Sequence, residues 1–347
     1  MQKEHLKHLR ERILTFYNEA EKILRGEIPA PRMAIFHITY LCNHNCTGCE
    51  YAIMNSKYHR ILTKDEVDNI LDQLIKIGIK GLEFSGGGEP LMYPYIADAI
   101  LKLHKNNISA GILTNGSKLN GGVLKNMVKY GSYIRVSLES GSREIFEKVK
   151  RTNGKDFDEI LNNLKEAVKL KKELNSNVDI SIKFTVGKEN YRDMENAIKL
   201  AMDIGVDSIQ FKLYSNVDVS FRESDGVLKK IQEKLNELKE KYNDKITVLG
   251  DLMPIRSKVK CWLSPIHVTI DALGDIYVCP SYRQRTKTHC IGNMLKESFS
   301  DLWFSEKHKR VIENIKKEEC DKYDCRFHFY NEFMEDIMKD KGKINFI

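Results

Sequence analysis

The chain has 347 residues, 41% of them hydrophobic and 30% charged, with a formal net charge of +7. That length allows two or three domains with a sizeable core, and no apolar run approaches the ~20 residues of a bilayer-spanning helix. Lysines alternate with acids, as in Leu164 to Glu173. This is the pattern of a solvated helix face, so a membrane is excluded and a nucleic-acid partner is not indicated.

Met1 to Arg12 is charged and lacks the apolar core of a signal peptide, so a cytoplasmic protein is expected. Residues 4–25 have helical spacing, with Gly26 as a stop. Pro29 and Pro31 mark a linker, and residues 32–40 read as a strand. Thr63 and Glu66 form a capping box, and Leu62 with Val67 a hydrophobic staple, for a helix ending at Gly78. Residues 81–85 read as a strand, 96–106 as a helix, 109–113 as a strand and 119–130 as a helix. A strand over 133–138, a helix over 157–174 and a strand over 178–186 follow, then a helix over 194–204, a strand over 208–213 and a helix over 226–242. Strands alternating with helices in this way predict an α/β parallel sheet, either doubly wound or curved into a partial barrel. In both arrangements ligands gather at the carboxyl ends of the strands. From Leu263 the pattern changes: 267–271 and 275–279 read as a hairpin across Ala272-Leu273-Gly274, followed by a helix containing Leu302 and Trp303.

Directly after the first strand come Cys42, Cys46 and Cys49 at Cys-x3-Cys-x2-Cys spacing. Thiolates this close on one loop suit one soft metal centre. Two readings stand on spacing alone. One is an iron–sulfur cluster with one iron left open, and the other is structural zinc with His44 as fourth ligand. Eight cysteines in a chain expected to be cytosolic point to metal or redox chemistry rather than disulfides. After the second strand comes Ser85-Gly86-Gly87-Gly88-Glu89-Pro90, where three glycines allow backbone to approach a ligand closely.

Cys-x3-Cys-x2-Cys with Gly87-Gly88-Glu89 one strand later resembles the radical S-adenosylmethionine (SAM) superfamily. Leu113-Thr114-Asn115-Gly116 and Val136-Ser137-Leu138-Glu139-Ser140-Gly141 at strand ends resemble further features of that family. The resemblance covers roughly residues 32–220. It implies a partial (β/α)6 TIM-like barrel and a [4Fe–4S] cluster on Cys42, Cys46 and Cys49 whose open iron is chelated by SAM. It implies SAM contacts from Gly87, Gly88, Glu89 and Asn115, with Ser137 and Glu139 near the ribose. Lys150-Arg151 resembles the basic position that pairs with the SAM carboxylate, and Arg151 is expected to do so. The residue before the third cysteine is often aromatic in this family and helps hold adenine. Here it is Gly48, so Tyr51 or backbone is expected to take that contact.

Cys261, a 12-residue gap, Gly274, four residues and Cys279 resemble the opening of the SPASM/twitch extension, with Cys320 and Cys325 as later thiols. Four ligands imply one auxiliary [4Fe–4S] cluster in a small α+β module, and a zinc knuckle on the same thiols is the alternative. The expected organisation is a helical extension over 1–31, a radical SAM core over 32–245 and an auxiliary module over 246–347.

These features imply an enzyme that cleaves SAM reductively and abstracts hydrogen from a substrate C–H bond, with the auxiliary cluster as electron acceptor. About 30 residues precede the core, too few for a peptide-recognition domain of ordinary size. The expected reaction is therefore oxidation of a small molecule such as a sugar or aminocyclitol. Peptide maturation and epimerisation are the enzymatic alternatives, and an iron–sulfur carrier or sensor the non-enzymatic one. A one-electron donor such as flavodoxin or ferredoxin is expected as partner. Cys290 lies outside both ligand sets. It is a buried small hydrophobe, a replacement ligand or, as the catalytic candidate, a hydrogen-atom donor.

Overall fold

The computed structural model describes residues 15–214, 225–252, 259–316, 325 and 327–339. In chain order the elements are α1 (Tyr17–Leu24), β1 (Met33–Phe36), α2 (Ala52–Lys57), α3 (Lys64–Ile77), β2 (Gly81–Phe84), α4 (Ile96–Lys105), β3 (Ser109–Thr114), α5 (Gly121–Tyr130), β4 (Gly131–Ser137), α6 (Arg143–Lys150) and α7 (Gly154–Glu173). They continue with β5 (Asp179–Val186), α8 (Met194–Ile204), β6 (Ser208–Leu213), α9 (Asp225–Tyr242), β7 (Thr247–Leu249), β8 (His267–Ile270), β9 (Asp275–Tyr277), β10 (Cys290–Asn293), α10 (Phe299–Trp303), α11 (Glu306–Glu313) and α12 (His328–Lys339). Among the described residues no helix is long and apolar enough to cross a membrane. The architecture is the partial TIM-like barrel expected, with a mostly parallel sheet that does not close.

Two compact units divide the chain. The larger comprises Phe36–Val67 and Leu82–Met253. Its strands run in the order β2-β3-β4-β5-β6-β7, and the pairs β3–β4, β4–β5, β5–β6 and β6–β7 are parallel. Period-two alternation sorts the side chains of β4, β5 and β6 onto two faces. Ile134 lies beside Ile180, Val136 beside Ile182 and Phe184 beside Phe211, all fully buried. Val136 and Ile160 of α7 close over Gly116, which marks this as the helix-covered face. Each of these side chains contributes roughly 1.5–3 kcal/mol by leaving water. The alternate residues Tyr133, Arg135, Ser137, Lys183, Gln210 and Lys212 are half-buried and polar, and they form the inward face.

The capping box forms at the start of α3. Thr63 Oγ1 accepts from the Glu66 N–H at 3.2 Å, and Glu66 accepts from the Thr63 N–H at 2.9 Å. Gly78, with φ +87°, stops that helix as expected. Two helices of the larger unit were not suggested by the sequence, α2 and α6; α6 runs through Arg-Glu-Ile-Phe-Glu-Lys-Val-Lys and buries Phe146, Val149 and Lys150.

The smaller unit comprises Met1–Ile35, Asp68–Gly81 and Pro254–Ile347. Its strands run β10-β9-β8-β1, with β8–β9 and β9–β10 antiparallel. The expected hairpin turns at Gly274, φ +82°, and Asp271 accepts from the Leu273 and Asp275 N–H groups at 2.9 and 3.0 Å. A core of Phe16, Ile23, Trp262, Leu263, Ile266 and Met334 ties α1, the segment after Cys261 and α12 together. Of the expected N-terminal helix, the structure describes residues from 15 onward, and α1 begins at Tyr17.

Candidate active site

The cysteine loop follows the end of the short strand β1 and docks against two other segments by backbone hydrogen bonds. The Asn45 N–H reaches the Lys150 carbonyl at 3.3 Å, and the Thr47 N–H reaches the Val149 carbonyl at 2.9 Å, so α6 carries the loop. On the other side the Gly88 N–H donates to Thr39 O at 2.7 Å and the Glu89 N–H to Leu41 O at 2.8 Å. A Cβ at Gly88 would lie 2.5 Å from the Leu41 carbonyl carbon. The glycines therefore admit the chain's own backbone leading into Cys42.

Glu89 is 3% exposed, and its carboxylate accepts from Thr114 Oγ1 at 2.5 Å, the Asn115 N–H at 2.7 Å and the Leu91 N–H at 3.0 Å. Burial raises its pKa against the pull of these donors. Asn115 donates to Asn43 Oδ1 at 2.8 Å and accepts from Ser117, while Asn43 Nδ2 donates to Ser117 Oγ at 2.8 Å. The carboxyl end of β3 thus grips both the glycine loop and the cysteine loop. Asn43 and Ser117 were missed in the sequence because neither belongs to a spaced motif.

At the end of β4, Glu139 sits in the left-handed region at φ +57°. That conformation is uncommon for a non-glycine residue, and four contacts hold it. Lys150 Nζ binds its carboxylate, Thr185 Oγ1 donates to Oε1 at 3.2 Å, Asn190 Nδ2 donates to its carbonyl at 2.9 Å and its own N–H meets Lys183 O at 3.5 Å. Lys150, 2% exposed, also donates to Ser137 O at 2.6 Å. Burial lowers its pKa, but Glu139 and the thiol of Cys46 outweigh that and raise it overall. Arg151, expected as the basic site residue, is exposed in the left-handed position that ends α6. The cation that reaches the site is its neighbour Lys150, because the α6 phase places Phe146, Val149 and Lys150 on the buried side.

Cys42, Cys46 and Cys49 are free thiols. Burial pushes the Cys42 pKa up to about 12 and raises those of Cys46 and Cys49, while Lys150 opposes the rise at Cys46 and Cys49. His44 faces Asp156 at 3.5 Å and meets the Phe146 ring edge-on at 6.0 Å, and burial followed by Lys150 lowers its pKa to about 4. Among the described residues no three His, Cys, Asp or Glu side chains converge on a single metal ion. Thiolates on three corners of a cubane stand wider apart than those on one tetrahedral ion. Three thiols on one anchored loop beside a buried cation fit such a cluster.

Gly48 has a partner sequence reading missed. A Cβ there would come within 2.7 Å of Tyr214 Cζ, and one at Gly187 within 2.9 Å of Tyr214 Cδ2. The ring of Tyr214, just past β6, fills the room a side chain at 48 would take. Tyr51, one expected substitute, instead packs edge-on against His37 at 5.1 Å.

In the smaller unit, Cys261 precedes Trp262 and Leu263, whose N–H groups donate to Asn331 Oδ1 of α12 at 2.8 and 3.1 Å. Cys325 precedes the same helix, and its carbonyl pairs with His328 Nδ1 at 2.9 Å. Cys279 follows β9 and lies 3.7 Å from Arg285 Nη1. Cys290 opens β10 opposite Tyr277, its Sγ 3.6 Å from Gly292 O, with its pKa raised by burial. Cys320, the remaining expected ligand, lies outside the described residues.

The profile of the radical SAM superfamily matches residues 36–201, and that of SPASM, an iron–sulfur cluster-binding domain, matches residues 261–326. The chain is 26% identical over 219 residues to Fe-coproporphyrin III synthase of Methanosarcina barkeri, covering 60% of this chain and 53% of that protein, so it spans about half that relative. It is 24% identical over 302 residues to the tungsten-containing aldehyde ferredoxin oxidoreductase cofactor-modifying protein of Pyrococcus furiosus, covering 78% of this chain and 80% of that one. Its fold is similar to that of Streptococcus suis SuiB bound to precursor peptide SuiA, with TM-score 0.64 and 14% identity, covering 87% of this chain and 72% of SuiB.

Proposed function

This chain is a radical SAM enzyme with a SPASM module, and from that premise we propose that it oxidises a small molecule by removing hydrogen from a C–H bond. Its cofactors are a [4Fe–4S] cluster and SAM, with auxiliary iron–sulfur binding in the SPASM module. When bound, the cluster and SAM supply a 5′-deoxyadenosyl radical by one-electron reduction, the chemistry that reaches an unactivated C–H bond.

The protein's own residues take these roles in the proposal. Cys42, Cys46 and Cys49 hold the SAM cluster, and α6 with Gly88-Glu89 fixes their loop. Glu89, with three protein hydrogen bonds already accepted, keeps room for one more donor, the SAM ammonium. Lys150 rather than Arg151 offers its charge to the SAM carboxylate, and Ser137, Glu139 and Asn115 border the ribose. Cys261, Cys279, Cys320 and Cys325 hold one auxiliary cluster that takes up the electron left on the substrate, and a flavodoxin- or ferredoxin-type protein supplies the reducing electron. Residues 32–245 act as core and 246–347 as auxiliary module.

The observation that carries the reading is the convergence of Glu89, Asn115 and Glu139, beyond the carboxyl ends of β2, β3 and β4, with Lys150 at the end of α6, around one cysteine loop. An electron carrier has no use for such a polar frame beside its cluster. The test is anaerobic: reconstituted, reduced protein mixed with SAM is expected to release 5′-deoxyadenosine. Release of none, with the cluster present, would refute the proposal.

A further inference from the structure

The loop between β9 and β10 is rich in cations and follows a cysteine. Residues 280–289 read Pro-Ser-Tyr-Arg-Gln-Arg-Thr-Lys-Thr-His, which includes Arg283, Arg285 and Lys287 and no acid. Cys279 precedes it and Cys290 ends it. The hairpin closes where Cys290 pairs with Tyr277 and the Val278 N–H meets His289 O at 3.2 Å. Within the loop, a 3₁₀ turn over Tyr282–Gln284 is held to β9 by the fully buried Tyr282 ring, stacked on Tyr277 at 4.1 Å.

Arg285 follows that turn, and its backbone is fixed from both sides. Its N–H donates to Tyr282 O at 2.6 Å, and its carbonyl accepts from the Thr288 and His289 N–H groups at 3.1 and 2.9 Å. The side chain folds back along the loop. Nη1 donates to Ser281 O at 3.2 Å and to Cys279 Sγ at 3.7 Å. The carbonyl contact orients the planar guanidinium, and the sulfur contact sets a permanent positive charge beside one thiol. Burial pushes the Cys279 pKa up, and Arg285 is the first of the groups that pull against it. The cysteine loop of the larger unit is set in different charge. Its buried cation, Lys150, is paired with the Glu139 carboxylate, and Glu89 acts on Cys42 as a further negative neighbour.

Reduction of an iron–sulfur cluster adds negative charge that spreads onto the ligand sulfurs. A hydrogen bond and a positive charge at a sulfur therefore favour the reduced form and raise the potential. We propose that Arg285 sets the reduction potential of the auxiliary cluster through Cys279, holding it high enough for the cluster to accept an electron from the substrate radical. In that step the radical loses one electron to the cluster and one proton to water, which completes the oxidation begun by hydrogen abstraction. This rests on the proposed function above, in which Cys279 is a ligand of that cluster, and adds the residue that makes the cluster an acceptor.

The test is a redox titration of the reconstituted full chain followed by electron paramagnetic resonance. The auxiliary signal is identified as the one that persists when Cys42, Cys46 and Cys49 are replaced by Ala. Arg285→Gln is expected to lower its potential by about 59 mV or more, roughly a tenfold shift in a one-electron reduction equilibrium. Arg285→Lys keeps a charge without the planar fork and is expected to shift it less. Lys287→Gln, exposed on the same loop, is expected to leave it unchanged. In the unmutated chain grown with isotopically labelled arginine, pulsed paramagnetic resonance is expected to show an arginine nitrogen coupled to the reduced auxiliary cluster. That measurement survives an Arg285 variant that fails to assemble, and the coupling is expected to vanish in Arg285→Lys. A potential indifferent to Arg285, or no arginine coupling, overturns the inference and leaves the proposed function standing. Iron analysis that finds no second cluster overturns this inference together with the auxiliary ligand set. Formation of 5′-deoxyadenosine by the unmutated chain is scored separately, so failure of the SAM chemistry is distinguishable from both.

Discussion

The two cysteine groups are built on opposite plans. Cys42, Cys46 and Cys49 share one eight-residue stretch, anchored through its own backbone to α6 on one side and to Gly88-Glu89 on the other. Cys261, Cys279, Cys290 and Cys325 are spread over the segment before a 3₁₀ turn, the segment after β9, the start of β10 and the approach to α12. The first plan fixes three thiols with short-range chain geometry. For the second group to form one site, the tertiary fold of its unit must bring its thiols together. Loss of the first site is therefore expected to leave its unit folded, whereas the second is coupled to folding of its unit.

The comparison breaks most visibly at the thiols. Cys42, Cys46 and Cys49 replaced together by Ala are expected to abolish 5′-deoxyadenosine formation and remove about four irons of about eight. Iron analysis and chromatography of the nucleoside check both. Removal of all iron would mean that the second group has no site of its own.

Next in size is the buried pair beside the loop. Lys150→Met leaves Glu139 buried without its cation, which is expected to cost about 3–5 kcal/mol in denaturant unfolding. Glu139→Gln in the same chain is expected to recover much of it. No recovery would mean that Lys150 acts by packing alone.

Glu89→Gln is smaller. Both clusters are expected to remain while SAM binding weakens by about 1.5–3 kcal/mol, the worth of one charged hydrogen bond. Unchanged affinity by calorimetry would leave Glu89 as a brace between the glycine loop and β3.

In the smaller unit, burial lowers the pKa of His308 to about 4, and its Nδ1 meets Trp303 O at 2.5 Å. A histidine depressed in the folded state binds its proton first in the unfolded chain, so stability is full above the unfolded pKa and falls as pH drops from about 6.5 to about 4. The slope is at most about 1.4 kcal/mol per pH unit. His308→Gln is expected to flatten it in thermal melts run across that range, and an unchanged slope would place the titrating group elsewhere.

Sequence reading served the two plans unequally. Strands β2 to β6 of the larger unit were legible because short apolar or alternating runs end in polar turns, whereas β7, three residues long and half-buried throughout, was not read. The thiols, Glu89 and Asn115 were legible because close spacing put them in one motif. Lys150 and Arg151 are adjacent and both basic, so only helix phase separates them. The spacing of Phe146, Val149 and Lys150 held that signal, but α6 is short and charge-dense and did not read as a helix. Tyr214 was out of reach, because its pairing with Gly48 spans more than 160 residues. In the smaller unit, β10 and α12 were not read, since Cys-Ile-Gly-Asn is too short to show a period and α12 mixes aromatic and acidic residues.

The most direct measurement is electron paramagnetic resonance of the reduced, reconstituted protein with and without SAM. If the anchored loop holds a cluster with an open iron and the dispersed cysteines hold one without, SAM is expected to shift one of two cluster signals and leave the other untouched. The shifted signal is expected to be the one missing from the Cys42, Cys46 and Cys49 variant. A SAM-induced shift that survives in that variant, or no shift in the unmutated protein, would contradict the account.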